Sequence, residues 1–470
     1  MLDEERPIYI PDIGRERARG LARLLRQRGV EVRGSTVRMT PGVEALREMG
    51  VEVGFGFGAS ELDGGELVVR LADTADELEA LEGSDVEVVD EATILRRLVA
   101  GRRTIGVTGT HGKATVSSMV AWILECDGGS PGFLFRGRSP NFGVEARDGD
   151  GDWFVLELDE HLVAQTGFPC DYAVCNFLEL VPRSYYPEDI VDSMVDFLES
   201  NRRLKEAFVN LDCRGNRDLV RRVAMRPTGY GIEHRTEFRG EPQASDDRGI
   251  SFRGFHRDRV LGEFELEIQG RYNAVNAMGA TAVAIRLGIS ADVVAEALAS
   301  YEGLDNRYTV ASGGGVLMVK DFVGAPESVG RVVHAARQDV DRRLVVVFEV
   351  PPETSSSTAV DGYAAAFDSG DLVVVAASTE DPDVVARAGD SLRDEIERRE
   401  ATTGRRIETD TLVDEMIDDV SEGDTVVFFG SDEFLRRADH FQARLAARAA
   451  RSPTDRQQPR LDGPLVDGDE

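Results

Sequence analysis

The 470-residue chain contains almost no lysine. Lys113, Lys205 and Lys320 are the three that occur, and arginine supplies the rest of the 55 basic residues against 86 acidic ones. Because the formal net charge is −31, nucleic acids and anionic membrane surfaces are not expected as partners. Such a composition suits a cytoplasm of very high salt, so we hypothesise a halophilic source. Loss of folded structure on moving from molar to low salt would support this hypothesis, and indifference to salt would exclude it.

Cysteine and long apolar segments are also scarce. Four cysteines occur without C-x-x-C spacing, which predicts buried or incidental thiols rather than disulfides or a metal site. No apolar run approaches the roughly 20 residues that span a bilayer, and the N-terminus MLDEERPIYI lacks the basic and apolar segments of a signal peptide. We therefore expect a cytoplasmic protein of two to four domains, whose oligomeric state the sequence does not indicate.

The most informative stretch is 104–125, which reads TIGVTGTHGKATVSSMVAWILE. An apolar run leads into a glycine-rich turn, and the apolar residues that follow have the spacing of one helical face. These are Val116, Met119, Val120, Ile123 and Leu124. The pattern predicts a strand, a tight turn and a helix.

A turn of this kind directs backbone N–H groups and the positive end of a helix at one point, and Lys113 adds a full charge there. The expected occupant is a phosphate group. The pattern G-x-x-x-x-G-K-[ST] is met incompletely, because Val107 replaces its first glycine and Ala114 follows the lysine. A plain tight turn with a surface lysine is the alternative, but a lysine retained in a chain with so few suggests a specific need.

The segment TGTHGK, placed between a strand and a helix, resembles the nucleotide-binding signature of the Mur ligases. These enzymes use ATP to join an amino acid to a carboxylate. The resemblance extends over about residues 7–447 and is closest to the branch that joins L-alanine to UDP-N-acetylmuramate. Strands that alternate with helices independently indicate parallel sheets.

The resemblance implies an α/β fold with the three-domain Mur ligase architecture. The implied parts are an N-terminal Rossmann-like substrate domain (1–101), a central P-loop ATP-binding domain with a mostly parallel sheet (102–305), a C-terminal Rossmann-like ligase domain (306–447) and a disordered tail (448–470).

The same resemblance implies where ATP and Mg²⁺ bind. ATP is assigned to a set of turn, helix and hinge residues, namely Gly109, Thr110, His111, Gly112, Lys113, Thr115, Asn273, Asn276, Arg307 and Asp321. Glu157, at the end of the strand WFVLELD, matches the glutamate that binds Mg²⁺, and Lys113 and Glu157 are the catalytic candidates. Two plainer alternatives remain open: Glu157 as a solvated strand-end carboxylate, and the two asparagines as helix caps.

Three departures from the family pattern bear on activity. Ala114 replaces a threonine whose hydroxyl binds Mg²⁺, and Thr115 lies about 100° further round the helix. The histidine of a second metal site is absent, and Glu179 is the nearby carboxylate that could replace it. In the first domain, the turn that would hold a UDP diphosphate keeps one glycine and carries Asp12, whose charge opposes a diphosphate.

Two hypotheses follow. The favoured one is an ATP-dependent ligase that forms an amide between a small carboxylic acid, not linked to UDP, and an amino acid through an acyl phosphate. The other is a nucleotide-binding or partner-binding relative that has lost ligation. Survival of the glycines, Lys113 and Glu157 together favours the first.

Overall fold

The structure is a computed structural model, and it describes most of the chain. The described residues are 6–36, 39–56, 62, 65–71, 86–159, 162–163, 168–178, 190–246, 249–268, 271–305, 309–322, 326–338, 340, 342–350, 357–377, 382–399 and 402–451. They form two compact units, Met1–Asp305 and Asn306–Glu470. Among these residues, no helix has both the length and the apolar character needed to cross a membrane.

The first unit begins with a five-stranded parallel sheet in the order β3-β2-β1-β4-β5. Its elements are β1 (Ile8–Ile10), α1 (Glu16–Gln27), β2 (Val32–Thr36), α2 (Pro41–Glu48), β3 (Glu52–Phe55), β4 (Leu67–Arg70), β5 (Glu87–Asp90) and α3 (Glu91–Leu98). Thr40 accepts a hydrogen bond from the Val43 N–H and Pro41 occupies the first helical position, which together start α2. The alternation of strands and helices expected from the sequence is present from β1 to β3.

A ten-stranded sheet completes the first unit, in the order β15-β14-β13-β12-β11-β10-β6-β9-β7-β8. Its strands are β6 (Arg103–Thr108), β7 (Gly132–Leu134), β8 (Ala146–Arg147), β9 (Trp153–Glu157), β10 (Tyr172–Cys175), β11 (Glu206–Asn210), β12 (Thr228–Gly231), β13 (Phe238–Asp246), β14 (Gly249–His256) and β15 (Arg259–Leu266). Its helices are α4 (Lys113–Cys126), α5 (Ile190–Ser200), α6 (Arg214–Arg222), α7 (Arg271–Leu287) and α8 (Ala291–Ala299). The pairs from β7 through β9, β6 and β10 to β13 are parallel, whereas β13, β14 and β15 form antiparallel pairs.

The predicted apolar face of α4 lies in the core. Val116, Met119, Val120, Ile123 and Leu124 are all buried, and α4 packs against α7 on one face of the ten-stranded sheet. The opposite face shares a continuous core with the five-stranded sheet, which includes residues from α1 and from β9. Burial of the α4 stripe is what anchors the turn that precedes it.

The second unit contains a six-stranded sheet in the order β16-β17-β21-β18-β19-β20, parallel except for the β16–β17 pair. Its strands are β16 (Thr309–Gly313), β17 (Val316–Phe322), β18 (Leu344–Glu349), β19 (Leu372–Ala377), β20 (Thr403–Glu408) and β21 (Thr425–Gly430). Its helices are α9 (Pro326–Gln338), α10 (Ser357–Ala366), α11 (Pro382–Arg398), α12 (Leu412–Ile417) and α13 (Asp432–Arg451). Because α13 continues to Arg451, the first four residues of the predicted tail are helical, and the rest of it lies outside the described residues.

Candidate functional site

The turn between β6 and α4 has the conformation that the glycines predict. Gly109 and Gly112 have φ angles of +125° and +66°, which glycine adopts at little cost. A side chain at Gly109 would also collide with the Phe177 carbonyl, 2.5 Å from the position of its Cβ. The turn is therefore held close to the chain that follows β10.

The helix that follows the turn begins at Lys113. In the described part of the chain, no acceptor is bonded to the first-turn N–H groups of Ala114 and Thr115, as is usual where a helix starts. The Lys113 ammonium donates to the Gly109 carbonyl at 2.9 Å and so lies over the loop. The positive end of α4, its first N–H groups and the Lys113 ammonium thus converge at one place. This arrangement suits a phosphate group.

A buried side chain beneath the loop fixes its position. Asn176, directly after β10, donates through Nδ2 to the His111 carbonyl at 3.0 Å and to Asn276 Oδ1 at 2.7 Å. Its own Oδ1 accepts from the Tyr230 hydroxyl at 2.8 Å. Because Asn176 is fully buried and bonded on both sides of its amide, it holds the loop rigidly.

The two asparagines predicted to lie against a nucleotide belong to this network. Asn276 is fully buried, and its Nδ2 donates to Asn273 Oδ1 at 3.0 Å. Both lie in the first two turns of α7, where they connect that helix to Asn176 and through it to the loop. The structure thus gives Asn276 a supporting role behind the loop, which a helix cap would not have.

Glu157 ends β9, beside the strand that carries the turn, and its side chain is buried. Its Oε2 accepts from the backbone N–H of Arg136 at 2.7 Å, so it is not a solvated strand-end carboxylate. Asp159 follows, buried as well, and accepts from the Leu162 N–H at 2.9 Å and from Arg136 Nη2 at 3.3 Å. The site therefore contains two fixed carboxylates.

The charges around Asp159 keep its carboxyl ionised. Burial alone would raise the pKa of Asp159, but the positive charges of Arg136, Arg17 and Lys113 and the Leu162 N–H outweigh it. Its pKa therefore lies below the ordinary value of 3.8.

A buried arginine joins the five-stranded sheet to this site. Arg17, on α1, donates through Nε to Glu91 Oε1 at 2.5 Å and through Nη1 to the Glu157 carbonyl at 3.1 Å. Burial raises the pKa of Glu91, although the Arg17 charge acts in the opposite direction. The two sheets of the first unit are thus connected through the residue that ends β9.

Comparison with known proteins decides the family. Residues 107–284 match the family model described as the Mur ligase middle domain, and residues 13–103 match the Mur ligase family, catalytic domain. The UDP-N-acetylmuramate–L-alanine ligase of Rhodopseudomonas palustris strain HaA2 is 30% identical over 383 residues, which are 79% of this chain and 82% of the relative. The chain belongs to the Mur ligase family. The prediction from TGTHGK is confirmed.

The similarity extends along nearly the whole Mur ligase chain. The ligase of the same name from Symbiobacterium thermophilum is 28% identical over 475 residues, covering 97% of this chain and 98% of the relative. The crystal structure of a murein peptide ligase from Psychrobacter arcticus matches with a TM-score of 0.69 at 20% identity, over 94% of this chain and 99% of that one. The predicted three-domain α/β fold is confirmed.

This Mur ligase site offers few protein ligands to Mg²⁺, but the residues present are compatible with the ion. Glu157 can offer Oε1, since Oε2 already accepts the Arg136 N–H. Ala114 offers no oxygen, and Thr115 lies half-buried one residue further along α4. Because Mg²⁺ commonly takes one or two carboxylates and completes its shell with phosphate oxygens and water, a single carboxylate suffices for a nucleotide-dependent site.

The other predicted site residues are less informative. Asp321, near the end of β17 in the second unit, accepts from the Phe322 N–H at 2.9 Å. Arg307 and Glu179 lie outside the described residues. Asn176, Tyr230, Arg17 and Arg136 were not foreseen as site residues; the position of Asn176 directly after an apolar strand is the one signal that could have indicated it.

Proposed function

We propose that this Mur ligase family member is an ATP-dependent ligase that forms an amide between a carboxylic acid and an amino acid. The observation that carries the proposal is the conformation of the phosphate loop and the way it is supported. Its glycines keep their left-handed conformations, Lys113 lies over it, and Asn176 supports it from beneath. A partner-binding relative that is not under selection for nucleotide binding would have no need of this buried polar network. Such a network lowers stability wherever its polar groups are incompletely hydrogen-bonded.

The chain's groups have separable roles in such a reaction. The turn and the start of α4 would bind the phosphates of ATP, and Lys113 would place its charge beside the phosphoryl group that moves. Glu157 would hold Mg²⁺, which when bound supplies further positive charge to the phosphates. The acid's carboxylate would receive the γ-phosphoryl group from ATP with release of ADP, and the amine would then displace phosphate and lose a proton to leave an amide.

We further propose that the acid is not linked to UDP. In the turn after β1, the N–H groups of Asp12 and Ile13 donate to Ser35, at 3.3 Å to its hydroxyl and 2.8 Å to its carbonyl. The backbone N–H of Arg15 donates to the Asp12 carbonyl at 3.1 Å, and its guanidinium donates to the Asp12 carboxylate at 2.7 Å. These donors are therefore used within the chain, and a carboxylate lies where a diphosphate would need to approach.

Nucleotide binding tests the loop. We expect Mg²⁺ with ATP to raise the melting temperature of the protein, and Lys113→Ala to remove most of this increase. Lys205→Ala is the matched control, because this lysine pairs with Asp171 at the opposite end of the sheet from the loop. UDP should not change the melting temperature of the wild type or of either variant. Equal stabilisation of wild type and Lys113→Ala would contradict the assignment of the loop, and stabilisation by UDP would contradict the proposed acid.

A further inference from the structure

We propose that Arg17 is a positioning residue for the carboxylate of Glu157, and that its buried ion pair with Glu91 serves this role. This inference rests on the proposed function, because it takes Glu157 as the residue that binds Mg²⁺ with ATP. Arg17 lies in the first turn of α1, and Glu91 is the first residue of α3. Both helices follow strands of the five-stranded sheet, so their first turns lie at its carboxyl edge, where ligands of α/β folds bind.

One arginine side chain joins Glu91 to the end of β9. Arg17 Nε donates to Glu91 Oε1 at 2.5 Å, and Arg17 Nη1 donates to the backbone carbonyl of Glu157 at 3.1 Å. A guanidinium is a rigid planar fork, so a bond from one of its nitrogens to Glu91 fixes the direction of the others. The position of the Glu157 carbonyl therefore depends on two helices of the five-stranded sheet.

Glu157 is consequently held at two points. Arg17 holds its main-chain carbonyl, and the backbone N–H of Arg136 holds its side-chain Oε2 at 2.7 Å. Groups that orient a metal ligand commonly contribute about 10–100-fold to metal affinity. Because Ala114 offers no oxygen to the ion, accurate placement of the remaining carboxylate matters more at this site.

Stability alone does not explain the ion pair. The side chains of Arg17 and Glu91 are 4% and 3% exposed, and the cost of removing two charges from water can exceed their attraction. Arg17 Nη2 is buried and has no hydrogen-bond partner among the residues that the structure describes, which adds a further cost. An arrangement that gains so little stability is better explained by what it holds in place.

Arg19 provides a matched comparison on the same helix. Its side chain is 12% exposed, and its guanidinium donates to Glu145, next to β8, at 2.9 Å and to the Gly14 carbonyl at 3.2 Å. It thus connects α1 to the ten-stranded sheet, as Arg17 does, but at a different point from Glu157. Loss of Arg19 should loosen the same packing without acting on the metal ligand.

ATP binding with and without Mg²⁺ separates positioning from stability. Arg17→Met keeps an unbranched apolar side chain and removes both hydrogen bonds. In calorimetric titrations, we expect this variant to bind ATP about 10-fold more weakly than wild type in Mg²⁺ and less than about 2-fold more weakly in EDTA. Arg19→Met, the control, should lower the melting temperature and leave both ATP affinities within about 2-fold of wild type.

A double variant keeps the test valid if Arg17→Met is unstable. Combining Arg17→Met with Glu91→Leu replaces the ion pair by apolar side chains, which commonly preserves or raises stability. A melting temperature near that of wild type together with weakened binding in Mg²⁺ supports the proposal.

Three results would overturn the proposal while leaving the phosphate loop in place. These are wild-type affinity of the double variant in Mg²⁺, equal weakening by Arg19→Met, and a loss that is as large in EDTA as in Mg²⁺. Equal ATP affinity of the wild type with Mg²⁺ and in EDTA would also contradict it, because Glu157 would then bind no ion. Failure of the wild type to bind ATP at all would instead contradict the proposed function.

Discussion

Ala114 is a residue at which the loop departs from the complete phosphate-binding pattern. It lies in the first turn of α4, directly after Lys113, and its methyl group packs against the core beneath the helix. A hydroxyl here would add a metal ligand at the start of the helix. Its absence leaves Glu157 as the fixed carboxylate with an oxygen to offer at the end of β9. Nucleotide binding should consequently depend on Mg²⁺ less than it would with a complete loop.

Restoring the hydroxyl tests this interpretation. We expect Ala114→Thr to bind ATP about 10-fold more tightly in the presence of Mg²⁺ and with unchanged affinity in EDTA, because a metal ligand acts through the metal. Valine has nearly the same shape as threonine but no hydroxyl, so Ala114→Val is the matched control. Calorimetric titration with and without Mg²⁺ measures both effects. A similar gain for valine, or a gain that survives EDTA, would show that shape and not coordination is responsible.

At the level of elements, contacts of Asp171 connect β6 and β10 at the end away from the loop, and we call these contacts the Asp171 clamp. Asp171, directly before β10, accepts from the Thr104 N–H of β6 at 2.9 Å. It also pairs with Arg203 at 2.6 Å and Lys205 at 3.2 Å. These contacts fix the register of the two strands whose opposite ends carry the loop and Asn176.

The clamp should make stability depend on pH. Burial opposes ionisation of Asp171, but the Thr104 N–H, Lys205 and Arg203 lower its pKa below the ordinary 3.8. A lowered folded-state pKa stabilises the fold above the unfolded value, and this stabilisation is lost as the pH falls through the folded value. We expect Asp171→Asn to lower the free energy of unfolding by about 1.5–3 kcal/mol at pH 7.

Denaturant unfolding of wild type and Asp171→Asn at several pH values measures this dependence. The difference between the two proteins should be constant from neutral pH down to about pH 5 and should shrink at lower pH. A difference that is independent of pH would mean that the ionised carboxylate contributes nothing and that asparagine simply fits less well.

The elements show what the sequence could predict. The strand, turn and helix at 104–125 followed from periodicity and glycine placement, and all five predicted apolar positions on α4 are buried. The alternation of apolar and polar residues along β14 and β15 is typical of the antiparallel strands that they form. Short strands such as β11 and β12 were missed, because four or five residues inside a large sheet carry little periodicity of their own.

Contacts between distant residues could not be predicted in the same way. Asn176 and Asn276 are 100 residues apart, and Arg17 and Glu91 are 74 apart. Each pair depends on how whole elements pack, which local patterns do not encode. The glycine-rich turn indicated Lys113 and the family resemblance supplied Glu157, but neither could supply Arg136 or Arg17, whose contacts arise from the three-dimensional arrangement.

At the scale of the whole molecule, the five-stranded and ten-stranded sheets form one compact unit. Ion pairs between α1 with its C-terminal end and the residues that flank β8 connect them, including Arg28 with Asp148 at 2.7 Å and Arg19 with Glu145 at 2.9 Å. These ion pairs help to fix the position of the five-stranded sheet relative to the ten-stranded sheet that carries the phosphate loop. The suggested adaptation to high salt remains a prediction from the net charge of −31.

Trapping of the activated acid tests the central claim most directly. Hydroxylamine would displace phosphate from an acyl phosphate and give a hydroxamate, whatever amine the protein normally uses. We predict that protein, Mg²⁺, ATP and hydroxylamine convert a member of a pool of carboxylic acids, with UDP-N-acetylmuramate included, to a hydroxamate detectable by mass spectrometry. Omission of ATP or Lys113→Ala should abolish the product. Tight ATP binding without a hydroxamate from any acid in a metabolite extract would contradict ligation and favour a nucleotide-binding relative that has lost it.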